Sequence, residues 1–282
     1  MGETLKRAIS GAVYVILLLA SILYSTESFL FLFGIFLIIS LFEFCNLIKV
    51  NKLIPVITGA SIYLFITFFS NYDRSKNVDI PTLDNILLAT TLLISIKCIF
   101  FLFDNKNQEI NNLSKYLYLL GYITLPFVFI TKISFGINAY NPKIVIGLFI
   151  LIWTNDTFAY IVGKSIGKHK LFEKISPKKT IEGFLGGLIF AIFAGYLISS
   201  YLIKPSAQFS NKSILIWMII AAIVGVIGTV GDLIESKFKR IAGVKDSGKI
   251  MPGHGGVLDR LDSVIFVAPF IFLFYKILYY VS

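Results

Sequence analysis

The sequence predicts an all-α, polytopic integral membrane protein with about nine transmembrane helices and a cytoplasmic N-terminus, and three observations carry that expectation. Hydrophobic residues make up 56% of the 282-residue chain and charged residues only 15%, against roughly 45–50% and about 25% in a soluble domain. Apolar runs recur near residues 8–24, 28–48, 53–70, 85–103, 116–131, 144–163, 184–203, 213–231 and 261–280, most of them close to the ~20 residues that cross a bilayer as a helix. The cations between those runs are unevenly divided: a nine-span topology puts eighteen Lys and Arg residues on the side of the N-terminus and six, including Lys76, on the other. A cationic excess marks the cytoplasmic side.

Residues 1–140 read as five spans joined by polar loops. Lys6 and Arg7 precede the first run, which reads as a span because no small-residue cleavage site stands out and further spans follow at once. The third and fifth runs are short, which is why the count is about nine. Cys45 and Cys98 both fall inside runs and are expected to be packing residues. The ionisable residues within these spans, Glu43 and Lys97, are expected to be structural, Glu43 because it lies near a helix end and Lys97 because it can snorkel past Asp104 to the interface. Lys49, Lys52, Lys106 and Lys115 are accounted for by topology and attraction to anionic lipid. The net charge of +10 therefore calls for the lipid bilayer as partner and for no nucleic acid.

Residues 141–282 read as four spans with two charged loops, and here the polar residues are of a different kind. The sixth span contains Asn155, Asp156 and Tyr160. Asp156, Tyr160 and Gly163 share a helical face by their four-then-three spacing. A buried carboxylate is costly unless it meets a cation, a metal or water, so this face is expected to line a polar cavity open to the cytoplasm. The fragment Gly163–Lys164–Ser165 is not a phosphate loop, because Phe158 stands where that loop needs its first glycine. At the start of the seventh span come Ser176, Pro177, Lys178, Lys179, Thr180 and Glu182. Ser followed by Pro suits an N-cap and first turn, so a helix N-terminus beside two lysines is expected to bind phosphate. Gly183, Gly186 and Gly187 are expected to let helices approach closely.

The eighth span ends with Asp232, Glu235 and Lys239 on one face and Ser236 and Arg240 on a neighbouring one. Asp259 and Asp262 open the ninth, so acids converge on one loop. Mg2+ takes one or two such carboxylates together with substrate phosphates and water. Lys239, Arg240, Lys245 and Lys249 would face phosphate charge that the metal leaves uncompensated. The turn from Pro252 to Gly256 lets backbone N–H groups approach an anion. With two histidines in the chain and no nearby Cys, a zinc site at His254 is not expected, and His169 reads as a surface-loop residue.

At these positions the chain resembles the phosphatidate cytidylyltransferase, or CDP-diacylglycerol synthase, family. The family signature is matched by Ser236, Phe238, Lys239, Arg240, Lys245, Asp246, Gly248, Pro252, His254, Gly255, Gly256, Asp259, Arg260 and Asp262. Met251 departs from the Leu, Ile or Phe usual there and should preserve packing. The SPKKTIEG and NDTFAY stretches are also similar; before residue 150 the likeness rests on hydropathy.

The resemblance implies transfer of a cytidylyl group from CTP to phosphatidic acid, with Mg2+ required, the metal-holding acids at Asp232 and Asp259, and K+ as a candidate second cation. It further implies a homodimer in the bacterial plasma membrane. Catalytic roles then fall to Lys239, Arg240, Lys245, Asp246, His254, Arg260 and Asp262. Substrate binding falls to Asn155, Asp156, Tyr160, Ser176, Lys178, Lys179, Thr180, Glu182, Ser236, Gly255 and Gly256. Two other functions fit parts of the pattern: a CTP-dependent polyprenol or phytol kinase, and an organic-anion transporter.

Overall fold

In hydrocarbon every backbone N–H and C=O must be satisfied within the segment, so apolar runs of this length become helices. The computed structural model describes residues 3–74, 81–104, 110–135, 140–205 and 210–281; Lys76 and Lys106, counted above in the charge asymmetry, lie outside them. Each of the nine apolar runs falls in a helix. The helices are α1 Glu3–Tyr24, α2 Thr26–Ile48, α3 Leu53–Arg74, α4 Pro81–Phe103, α5 Asn112–Ser134, α6 Pro142–Ile166, α7 Ile181–Ile203, α8 Ser210–Ile241 and α9 Leu258–Val281. All except α3 contain a stretch long and apolar enough to span a membrane; the apolar part of α3 is Leu53–Thr67.

Local chemistry sets the helix ends. Ser25 caps α2 in a box with Ser28, each side chain accepting from the other's backbone N–H at 3.1 Å. The fifth run looked short because its first turn is polar: Asn111 caps α5 by accepting from Ser114 N at 2.8 Å, which gives a 23-residue helix. This is the most enclosed helix of the set. Wide π-turns interrupt it at Leu119–Thr124 and end α7 at Ile198–Ile203.

The structure departs from the sequence reading in two places that matter. Helix α8 runs ten residues beyond the predicted end of its span, to Ile241, because Leu233, Ile234 and Phe238 continue its buried face. The Phe238 ring packs against Phe44, Phe101, Tyr118 and Tyr122 with centroids 4.7–5.6 Å away. At 1.5 Å per residue the helix is roughly 48 Å long, so its end outruns the hydrocarbon and carries Lys237, Lys239 and Arg240 as helical residues.

The second departure lies between α6 and α7. Ser176 and Pro177 do not start a helix: Lys170–Phe172 (β1) and Ser176–Thr180 (β2) form an antiparallel hairpin. Thr180, extended at φ −123°, is the N-cap of α7 and accepts from Gly183 N at 3.1 Å. Gly167 makes the tight approach to the hairpin possible, since a Cβ there would lie 2.2 Å from Gly163 O and 2.6 Å from Thr180 Oγ1. Helices α6 and α7 pack through the expected small residues: a Cβ on Gly183 would meet Ala159 O at 2.6 Å, and one on Gly187 would meet Asn155 O at 2.7 Å.

Contacts across the bundle sort the ends into two sides. Ser10 near the start of α1, Glu43 near the end of α2, Asp104 after α4 and the loop between α8 and α9 meet at one side. On the other, Tyr140 donates to Ile22 O at 2.8 Å. The N-terminus and the α8–α9 loop thus share a side, as the eight helices between them require.

Candidate active site

A cavity of about 800 Å³ opens among α6, the hairpin, α7, α8 and the start of α9, and every residue lining it falls between Asn155 and Asp262. Helix α6 contributes Asn155, Asp156 and an exposed Tyr160; the hairpin contributes Lys170, Lys178, Lys179 and Thr180. Helix α8 adds Asp232, Ser236, Lys239 and Arg240, the following loop Lys245 and Asp246, and α9 Asp259, Arg260 and Asp262. Cations and carboxylates thus meet in one open-mouthed space.

At the cavity wall stands a group of acids: Asp232 and Asp262 line the space from two helices, and Glu235, one turn from Asp232, is buried without lining it. Oxygens of Asp232, Glu235 and Asp262 lie within 4.8 Å of one another. Two cations flank them. Lys179 Nζ is 2.5 Å from Asp232 Oδ2, and Lys239 pairs with Glu235 and, at 2.7 Å, with Asp259 Oδ1. Ser236 Oγ donates to Asp232 Oδ1 at 3.2 Å, and Asp262 Oδ1 accepts from Ser263 N at 2.7 Å. Glu235 is 0% exposed, and among the described residues its oxygens accept no hydrogen bond beyond the ion pair with Lys239. A fully desolvated carboxylate with open lone pairs, beside two more, is a donor set suited to a hard divalent cation.

Asp259 sits differently. Its Oδ2 accepts from Ser247 N at 2.8 Å, Ser247 Oγ at 2.9 Å and Gly256 N at 2.7 Å, while Oδ1 faces Lys239. The structure therefore groups Asp232 with Glu235 and Asp262 and makes Asp259 the clasp of the α8–α9 loop. That loop turns tightly: Met251 and Gly255 form a bridge with Met251 N donating to Gly255 O at 2.9 Å, and Gly253 and Gly255 take φ +76° and +86°. A side chain at Gly255 would be strained by that backbone and would also reach Asp259 Oδ2 at 2.5 Å.

Other candidates from the sequence fall into place around this centre. Arg240 leans on backbone, donating to Ile175 O at 3.3 Å and Val244 O at 3.4 Å. Asn155 Nδ2 donates to Asp156 Oδ1 at 3.4 Å, and its own buried Oδ1 has no hydrogen-bond partner. Glu182 does not line the cavity: its carboxylate accepts from Lys168 N at 3.0 Å and His169 N, and lies 2.6 Å from His169 Nδ1, tying the loop to the start of α7. Ser176, Gly255 and Gly256 shape the hairpin and the loop without lining the space.

His254 also lies outside the cavity wall. Its Nδ1 is 2.7 Å from Ser10 Oγ, and Ser10 Oγ lies 2.9 Å from Pro252 O. Partial burial and the positive charges of Arg260 and Arg7 push its pKa below the ordinary histidine value. Two participants escaped the sequence reading. Glu235 was visible as a helical neighbour of Asp232, but only the approach of Asp262 from α9 makes it a member of a cluster. Glu43 lies more than 200 residues from the loop it touches, and its position in an apolar span was the one available signal.

A model of the cytidylyltransferase family matches residues 5–278. The chain belongs to this family. Among similar proteins, the phosphatidate cytidylyltransferase of Bacillus subtilis (strain 168) is 31% identical over 282 residues, covering 96% of this chain and 97% of that protein. Phosphatidate cytidylyltransferases of Staphylococcus haemolyticus and Staphylococcus aureus (strain COL) are each 49% identical, over 121 and 125 residues. Those two matches cover 43% of this chain and 44% of each staphylococcal protein. The chain thus shares both a whole-length likeness and a more closely matched segment with proteins named phosphatidate cytidylyltransferase.

Proposed function

We propose that this chain is a phosphatidate cytidylyltransferase, converting CTP and phosphatidic acid to CDP-diacylglycerol and pyrophosphate on the cytoplasmic side of the plasma membrane. The observation that carries the reading is the cavity itself, where buried acids and five or more cations meet at the polar ends of membrane helices. A lipid phosphate stays at the bilayer while a nucleotide arrives from water, and a space at that boundary admits both.

In the reaction an oxygen of the lipid phosphate attacks the α-phosphorus of CTP, forming the new P–O bond as the bond to the departing pyrophosphate breaks. That oxygen is already ionised near neutral pH, so no general base is required. The difficulty is the meeting of two anions, which preorganised positive charge relieves. Lys178 and Lys179 on the hairpin serve the CTP phosphates, and Lys239, Arg240 and Arg260 serve the lipid phosphate or the pyrophosphate. Mg2+ would be held by Asp232 with Glu235 and Asp262, with Asp259 at the border of the set; once bound it supplies charge neutralisation at phosphate oxygens. K+ as a second cation and a homodimeric assembly complete the proposal.

Tracing label decides between nucleotidyl and phosphoryl transfer. With CTP labelled at the α-phosphorus, the purified protein should move label into lipid; with CTP labelled at the γ-phosphorus, label should leave in pyrophosphate. Lipid carrying the γ label would identify a CTP-dependent kinase and overturn the assignment.

A further inference from the structure

Glu43 is a carboxylate in the first half of the chain, 3% exposed, that the reaction above does not use. Each of its oxygens is engaged by backbone at the end of the α8–α9 loop: Oε1 accepts from Val257 N at 3.1 Å and Oε2 from Leu258 N at 2.8 Å, with Ser247 Oγ 3.2 Å from Oε2. Helix α9 starts at Leu258, so an anion from α2 satisfies the otherwise unpaired N–H groups at that helix terminus, where negative charge is favoured. The loop is moulded to this side chain. A Cβ on Gly248 would fall 2.2 Å from Glu43 Oε1, and one on Gly256 would fall 2.4 Å from both carboxylate oxygens.

Asp259 grips the same stretch from the cavity side, through Ser247 N, Ser247 Oγ and Gly256 N. The Ser247 hydroxyl stands between the two carboxylates, 3.2 Å from Glu43 and 2.9 Å from Asp259. Asp259 in turn orients Lys239. We propose that Glu43 is a positioning residue for cytidylyl transfer: through Ser247 and the start of α9 it fixes the loop so that Asp259 and Lys239 present their charges to the cavity. The role rests on the function proposed above. It requires a carboxylate, because each oxygen accepts from a backbone N–H, and an amide would turn its own NH2 group toward one of them.

The test compares wild type, Glu43→Gln, Ser247→Ala and the double variant in detergent, measuring CDP-diacylglycerol formation over ranges of CTP and phosphatidic acid alongside thermal unfolding. Glu43→Gln should lose about 10- to 100-fold in kcat, with KM for phosphatidic acid unchanged. Ser247→Ala should lose less, and the double variant should lose less than the product of the two single losses, since both act on the same loop. Unaltered kcat in Glu43→Gln, or additive losses in the double variant, would overturn the positioning role. Should Glu43→Gln fail to fold, Ser247→Ala decides: a lowered kcat at unchanged KM supports the role, and wild-type kcat sinks it. An inactive wild type would instead count against the reaction assigned to the cavity.

Discussion

The two halves of the chain bury carboxylates to opposite effect. In residues 3–135, Glu43 is enclosed and accepts a backbone N–H on each of its oxygens. In residues 140–281, Glu235 is enclosed at least as fully, and among the described residues its oxygens accept no hydrogen bond beyond the Lys239 ion pair. Buried polar groups are normally satisfied, and an exception asks for a reason. The satisfied acid holds backbone in place, and the open one, under the function proposed above, would help to hold the cation. The same contrast separates cations two residues apart on α8: Lys237 donates to the carbonyls of Phe101 and Asp104 at the end of α4, whereas Lys239 faces the acids of the cavity. Under the proposed function, the first half braces and the second half carries the reacting groups.

Breaking the reacting half should have the largest effect. Replacing Asp232 by Asn removes the acid shared by the cluster and the Lys179 pair, and should lower kcat/KM by at least about a hundredfold without lowering the unfolding temperature; retention of wild-type turnover would place the reaction elsewhere. Lys179→Met is expected next, raising KM for CTP by roughly tenfold or more, as steady-state kinetics with varied CTP would show.

The paired cations sharpen the contrast. Lys239→Met should abolish most activity even at temperatures where the variant remains folded. Lys237→Met should do the reverse, losing about 1 kcal/mol or more of stability with the carbonyls at a helix C-terminus left unpaired. Equal effects of the two substitutions on turnover would erase the distinction.

The smallest expected effect concerns His254, which ties the loop to α1 through Ser10. Its pKa is lowered in the folded protein by burial and by Arg260 and Arg7, so below the ordinary value of about 6.5 the unfolded chain takes up the proton first. Stability should therefore fall as the pH drops through that value, and His254→Gln should flatten this part of the profile. A wild-type unfolding temperature that rises on acidification over the same range would contradict the sign.

Much of this was readable in the sequence because membrane burial imposes a pattern that hydropathy reports directly. The nine runs, the glycine-mediated approach of α6 to α7 and the gathering of Lys179, Asp232 and Asp259 in one region follow from residue types and spacing alone. Tertiary competition hid the rest. Ser176–Pro177 has the local chemistry of a helix start, but pairing with Lys170–Phe172 draws the strand out and leaves Thr180 to cap the helix. The apolar run of α8 ends at residue 231 although helical faces continue to Arg240, and the burial of that charged end shows only when Phe238 is seen among four aromatic rings. Glu43 reads as a helix-end acid, since its partners Val257 and Leu258 are apolar residues that engage it only through backbone N–H groups.

The central claim, that the acid cluster and its flanking cations perform cytidylyl transfer, is tested most directly by one assay. Detergent-purified wild type and Asp232→Asn are given CTP and phosphatidic acid with and without Mg2+, and CDP-diacylglycerol and pyrophosphate are quantified together. The account predicts the two products in equal amounts from wild type, only with Mg2+, and almost none from the variant. Equal product from folded Asp232→Asn, or product from wild type that ignores Mg2+, would contradict it.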